Sequence, residues 1–114
     1  MNVHQWDIVK IRVRPEDKDE HPAVVISREE WCRDERRLNL NVLYCTTLRP
    51  AQAAETCEVR LNGPDGLERA TVANCEHVFS VPRGRITAVA GRVAPERRKQ
   101  ISRTVVLAFR LVLA

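Results

Sequence analysis

A histidine stands directly before Pro22, at the entrance to the apolar run Ala23-Val24-Val25-Ile26, and it is the side chain of this sequence best suited to moving protons. Histidine ordinarily titrates near pH 6.5, so an exposed imidazole can act as base or acid around neutrality. Whether His21 does so depends on where the chain holds it. Four consecutive apolar residues, three of them β-branched, are too few for a helix and read as a central strand buried on both faces. Pro22 has no backbone donor and biases the residue before it toward extended geometry. The pair therefore predicts Pro22 at the first strand position and His21 just outside, at the rim of a sheet. On the residues alone, a solvated turn histidine is the ordinary alternative.

The other reactive groups are less pointed. Cys32, Cys45, Cys57 and Cys75 lie far apart, with no Cys-x-x-Cys and no His-x-x-x-His that would gather metal ligands. They read as reduced thiols used as small hydrophobes, and no metal or other cofactor is expected. A net charge of +4 favours an anionic partner. The basic residues without an acidic neighbour are Arg12, Arg14, Arg49, Arg83, Arg85 and Arg92, whereas Arg33-Asp34-Glu35-Arg36-Arg37 reads as a solvated face. No segment is apolar over the length of a bilayer, and the N-terminus has neither a basic nor an apolar signal region. One cytoplasmic domain covering residues 1–114, with no membrane partner, is the expectation.

The elements that must position His21 can be read from periodicity. Val9, Ile11 and Val13 alternate with Lys10, Arg12 and Arg14, predicting a half-exposed first strand with a basic outer face. The polar loop Pro15–Glu20 leads into His21. Ser27 and Glu30 have the spacing of a capping box, starting a short helix over Trp31. Leu38–Cys45 is a third strand, with Thr46-Thr47 at its end and Tyr44 expected to point inward. Residues 48–55 read as loop. Thr56–Leu61 and Leu67–Val72 flank Asn62-Gly63-Pro64-Asp65-Gly66 as a hairpin. Asn74–Val81 is a short strand or turn before the basic corner Pro82–Arg85, and Ile86–Ala90 closes the sheet, with Gly91 interrupting the pattern. Ala94-Pro95-Glu96 opens a helix on which Ile101, Val105, Ala108, Phe109 and Val112 form an apolar stripe, core by default and extending into a subunit interface. The sum is a mainly β fold: a small SH3-like antiparallel β-barrel with a C-terminal α-helix.

The order of these landmarks resembles the MazF/PemK family of toxin endoribonucleases, relatives of the CcdB-type gyrase poisons. It is carried by Trp6-Asp7-Ile8-Val9, the charged loop, Pro22-Ala23-Val24-Val25-Ile26-Ser27, Tyr44-Cys45-Thr46-Thr47, Glu58-Val59-Arg60-Leu61, Cys75-Glu76-His77-Val78-Phe79-Ser80-Val81, Arg83 with Arg85, and Gly91. The resemblance covers nearly the whole chain. It implies a homodimer that cuts single-stranded RNA at short sequences without a metal and is restrained by a cognate antitoxin. It also implies a catalytic pair: an arginine before the proline of the central strand, and a threonine or serine ending the next. Thr46 supplies the second; His21 stands where the first is expected.

Metal-free RNA cleavage needs a base for the 2′-hydroxyl, an acid for the departing 5′-oxygen, and donors for the phosphate. Arginine, with a pKa above about 12, clamps phosphate but carries protons reluctantly; histidine reverses those strengths. The expected roles are His21 for proton transfer, Thr46 as phosphate donor, Arg14 and Arg49 as charge partners, and Thr47, His77, Arg83 and Arg85 as RNA contacts. His77 is equally open to a structural role. The alternative is a barrel weakened or inactivated by the histidine, binding nucleic acid or protein as CcdB-type relatives do.

Overall fold

The computed structural model describes residues 1–47 and 56–111. Six strands, β1 (Asp7–Ile11), β2 (His21–Val25), β3 (Asn39–Thr47), β4 (Glu58–Leu61), β5 (Thr71–Pro82) and β6 (Ile86–Arg92), form one antiparallel sheet in the order β4-β5-β3-β2-β1-β6. A three-residue turn, Arg83–Arg85, joins β5 to β6 although three strands lie between them in the sheet. The sheet is therefore curled in the manner of a barrel without closing. Two helices complete the fold, α1 (Glu29–Arg33) and α2 (Pro95–Ala108).

The curl gives the sheet two apolar faces. Val9, Ile11, Ala23, Val25, Leu40, Val42, Val81 and Ile86 pack together inside it, with Cys32 of α1 over one end. Ile8, Val24, Leu43, Cys45, Val59, Leu61, Ala73 and Cys75 form the other layer, covered by Val93 and Ile101 of the α2 segment. Alternation assigns these sets, since neighbours along a strand point to opposite faces. β2 is central, as its composition predicts, and starts at His21, one residue earlier than expected. β1 departs further from the reading: Asp7, Ile8, Val9 and Ile11 are all buried and only Lys10 is exposed. It has no basic outer face, because Ile8 belongs to the α2-covered layer and the strand ends before Arg12.

The long strand β5 is one element where the sequence suggests two. Beside it, β3 advances two residues from Leu43 to Cys45 while β5 passes from Val78 back to Ala73. The extra residues between Ala73 and Val78 make a bulge that exchanges the faces: Ala73 and Cys75 lie under α2, whereas Phe79 and Val81 belong to the inner layer. Cys32, Cys45 and Cys75 serve as small buried hydrophobes while Cys57 is half-buried, and burial pushes the Cys45 thiol up to about 12 and that of Cys75 to about 11.

Two local readings are corrected. Ser27 does not cap α1; its buried Oγ accepts the Asn41 N–H at 2.8 Å, tying β2 to β3, and Arg28 takes the N-cap position without a side-chain bond. Gly91 does not end β6 but lies inside it. A Cβ there would sit 2.3 Å from the Asp65 carbonyl oxygen, so glycine lets the β4–β5 turn close onto the strand. In that turn, fully buried Asp65 accepts N–H groups from Asn62 at 2.9 Å and Ala94 at 2.8 Å and pairs with Arg97 Nε at 2.9 Å.

Candidate active site

Beyond the packed part of the inner layer, the same face of the sheet comes out into solvent. Its exposed end is built by alternation: His21 precedes Ala23 and Val25 on β2, Tyr44 follows Leu40 and Val42 on β3, and His77 precedes Phe79 and Val81 on β5. Ala23 lies across from Tyr44 and Val42 from Phe79, which brings the four rings together. His21 and Tyr44 have ring centroids 5.5 Å apart, Tyr44 and His77 5.2 Å, Tyr44 and Phe79 6.1 Å, and His77 and Phe79 5.6 Å. The Tyr44 hydroxyl meets His21 Nδ1 at 3.0 Å. Burial pushes the Tyr44 phenol above its ordinary pKa, so it stays protonated and can both give and accept a hydrogen bond.

Thr46 is exposed two residues beyond Tyr44, on the same face by alternation. Continuing the β2–β3 register past Ala23 and Tyr44 sets Thr46 opposite His21. Imidazole and hydroxyl thus share one solvent-facing edge. Thr47 points the other way, into an open groove of about 560 Å³ shared with Lys10, Pro22 and Arg69, and it does not join His21 and Thr46.

The arginines divide. Arg85 stays near the His21 rim: its backbone carbonyl accepts the Arg12 N–H at 3.0 Å and its Nη1 donates to the Val13 carbonyl, beside the β1 end whose last residue, Ile11, pairs with His21. Arg14 is exposed in the following loop, its N–H bonded to Asp17. Arg92 is matched after all, by Asp7 at 2.9 Å. Arg49 lies outside the described residues.

Arg83 has a different occupation. Its Nε donates to the Arg37 carbonyl at 2.6 Å and its Nη2 reaches the carbonyls of Trp31, Cys32 and Asp34 at 2.9, 2.8 and 3.1 Å. These groups end α1 and follow it, where a helix leaves carbonyls unpaired. The guanidinium expected on an RNA backbone closes a helix terminus instead. Arg83→Ala should lower unfolding stability by about 1.5–3 kcal/mol, read as a shift in urea midpoint, and Arg83→Lys should recover little, since a single ammonium cannot span the same fork.

Tyr44 is the residue that sequence reasoning missed. It is half-buried and faces the histidines, where an inward orientation was expected. Its position two residues before Thr46 was the available signal, because it fixes both on one face.

Among the described residues, no group of three His, Cys, Asp or Glu side chains is arranged to hold a metal ion, and no helix is long and apolar enough to cross a membrane. The model of the PemK-like, MazF-like toxins of type II toxin–antitoxin systems matches residues 4–109. The chain belongs to this MazF-like toxin family. Solved MazF-like structures share its fold at low identity. The Mycobacterium tuberculosis toxin MazF-mt6 superposes with a TM-score of 0.77 at 18% identity, covering 94% of this chain and 99% of its own. An endoribonuclease from a mycobacterial species, in complex with its cognate antitoxin, gives 0.78 at 14% over 98% and 99%. MazF in a MazE–MazF structure from Deinococcus radiodurans gives 0.78 at 14% over 98% and 100%. No curated protein matches.

Proposed function

We propose that this MazF-like chain is a metal-independent endoribonuclease that cuts single-stranded RNA at preferred sequences, works as a homodimer and is restrained by a cognate antitoxin. The observation that carries this is the shared exposed edge of His21 and Thr46, with Tyr44 holding the imidazole from behind. In the reaction, the RNA 2′-oxygen attacks the adjacent phosphorus, the bond to the 5′-oxygen breaks, and the products are a 2′,3′-cyclic phosphate and a 5′-hydroxyl. His21 moves a proton and the Thr46 hydroxyl donates to a phosphate oxygen. Arg14 and Arg85 supply positive charge along the rim, and His77, its ring beside that of Tyr44, contacts the RNA. The net charge of +4 and the similarity to an endoribonuclease solved with its antitoxin support the same reading. Leu107 and Phe109, exposed at and just beyond the end of α2, support a protein partner there, a second copy of the chain.

The test is incubation with a long unstructured RNA in EDTA. Discrete fragments with cyclic-phosphate ends are expected, and Thr46→Ala should slow their formation by about 10²-fold, the usual cost of removing one donor to a developing oxyanion. RNA bound but left uncut would instead establish a non-catalytic binding barrel.

A further inference from the structure

His21 and His77 flank the same tyrosine ring, and that arrangement suits a reaction needing two proton transfers at once. Resting on the endoribonuclease reading above, we propose that His77 is the second proton-transfer group, the acid to His21 as base, and that Tyr44 is the residue that positions His21.

The tautomer follows from the hydrogen bond. If Tyr44 donated to Nδ1, neutral His21 would carry its proton on Nε2 and present no free base. If Nδ1–H donates to the Tyr44 oxygen, Nε2 offers its lone pair toward solvent. Only this second bond survives when His21 takes up a proton, because the imidazolium is a donor at both nitrogens. Tyr44 can therefore hold the ring through the whole proton transfer without reorganising. Nε2 takes the proton of the 2′-hydroxyl as the new O–P bond forms.

The opposite side of the phosphorus needs a donor for the departing 5′-oxygen. Thr46 is a poor acid and the arginine guanidiniums hold their protons too firmly. His77 lies on the far side of Tyr44 from His21, one aromatic ring away, and is exposed. Its imidazolium protonates the 5′-oxygen as the P–O bond breaks. The two histidines finish with exchanged protonation states, and solvent resets them. His77 lies at the end of the β5 bulge, among the residues between Ala73 and Val78, where such irregularities commonly aim a side chain. The titratable groups facing His21 from the packed strands are Tyr44 and His77; its β1 partner Ile11 is apolar, with Lys10 and Arg12 on either side in sequence.

The experiment measures cleavage of an RNA carrying one mapped site, from pH 4.5 to 9. The wild-type profile should be bell-shaped. His77→Ala should slow cleavage by about 10²–10⁴-fold, remove the alkaline limb, and recover on a substrate whose 5′-bridging oxygen is replaced by sulfur, a leaving group needing no acid. His77→Gln serves as a second variant, and circular dichroism verifies that each is folded. Tyr44→Phe should slow cleavage while leaving the fold intact and, in the ¹⁵N spectrum of the imidazoles, lose the single Nδ1–H signature of His21. Wild-type protein that makes no cuts would overturn the endoribonuclease reading and this inference with it. Wild-type cutting matched by His77→Ala, or a His77→Ala defect that the sulfur leaving group does not repair, would overturn the inference alone.

Discussion

His21→Ala should abolish most RNA cleavage, by about 10²–10⁴-fold, while leaving the urea unfolding midpoint close to that of the parent. The side chain sits at the end of β2, partly exposed, and its hydrogen bond is to the partly exposed Tyr44 hydroxyl, so truncation opens no cavity in the packed interior. Activity and stability should therefore separate at this residue. His21→Arg is the informative companion. Arginine offers a fixed fork of donors but no neutral base near pH 7, so the variant should bind RNA at least as tightly and cleave it more slowly. A variant that cleaves faster than the parent would mean that the imidazole weakens an arginine-based site rather than serving as its base.

Asp65→Ala should act in the opposite sense, unfolding the protein without touching the site. The carboxylate is fully buried, and its three partners come from the hairpin turn, the start of α2 and the guanidinium of Arg97, which also donates to the Arg60 carbonyl. Removing the carboxylate orphans the Asn62 and Ala94 N–H groups and takes the charge partner from Arg97, at a cost of about 3–5 kcal/mol. For a domain whose whole stability is of the order of 5–15 kcal/mol, this is a large fraction. Urea denaturation followed by circular dichroism should show a much lower midpoint with an unchanged slope. Asp65→Asn should fall between the two, since one amide oxygen can still accept an N–H. Equal midpoints for parent and alanine variant would show that the turn is not held to α2 by this group.

The parts of the fold written in local pattern were legible. β2, the Pro95 start of α2 and the strand carrying Thr46 follow from backbone chemistry and periodicity within a few residues. What stayed hidden depends on partners distant in sequence. Ser27 has the spacing of a cap, yet its hydroxyl is taken by a backbone group fourteen residues on. Arg83 looked unmatched because charge counting sees only carboxylates, whereas its acceptors are carbonyls, which every residue has. The continuity of β5 rests on a bulge, visible only once its pairing with β3 is known. β1 looked half-exposed because alternation describes one face, and α2 covers the other from the far end of the chain. The placement of the candidate site was legible at its ends: His21 from Pro22, Thr46 from family likeness. Its middle, Tyr44, reads as inward because in a chain this poor in aromatic residues they are more often core or interface residues.

Phe79 touches both the interior of the curled sheet and the rings of Tyr44 and His77. The proposed reactive edge is thus the outcrop of the same stratum that makes the protein solid. On the proposed function, adaptation to a new RNA sequence would fall to segments such as the polar stretch from Arg12 to Glu20 that leads into His21, because repositioning the imidazoles themselves would mean repacking the bedrock.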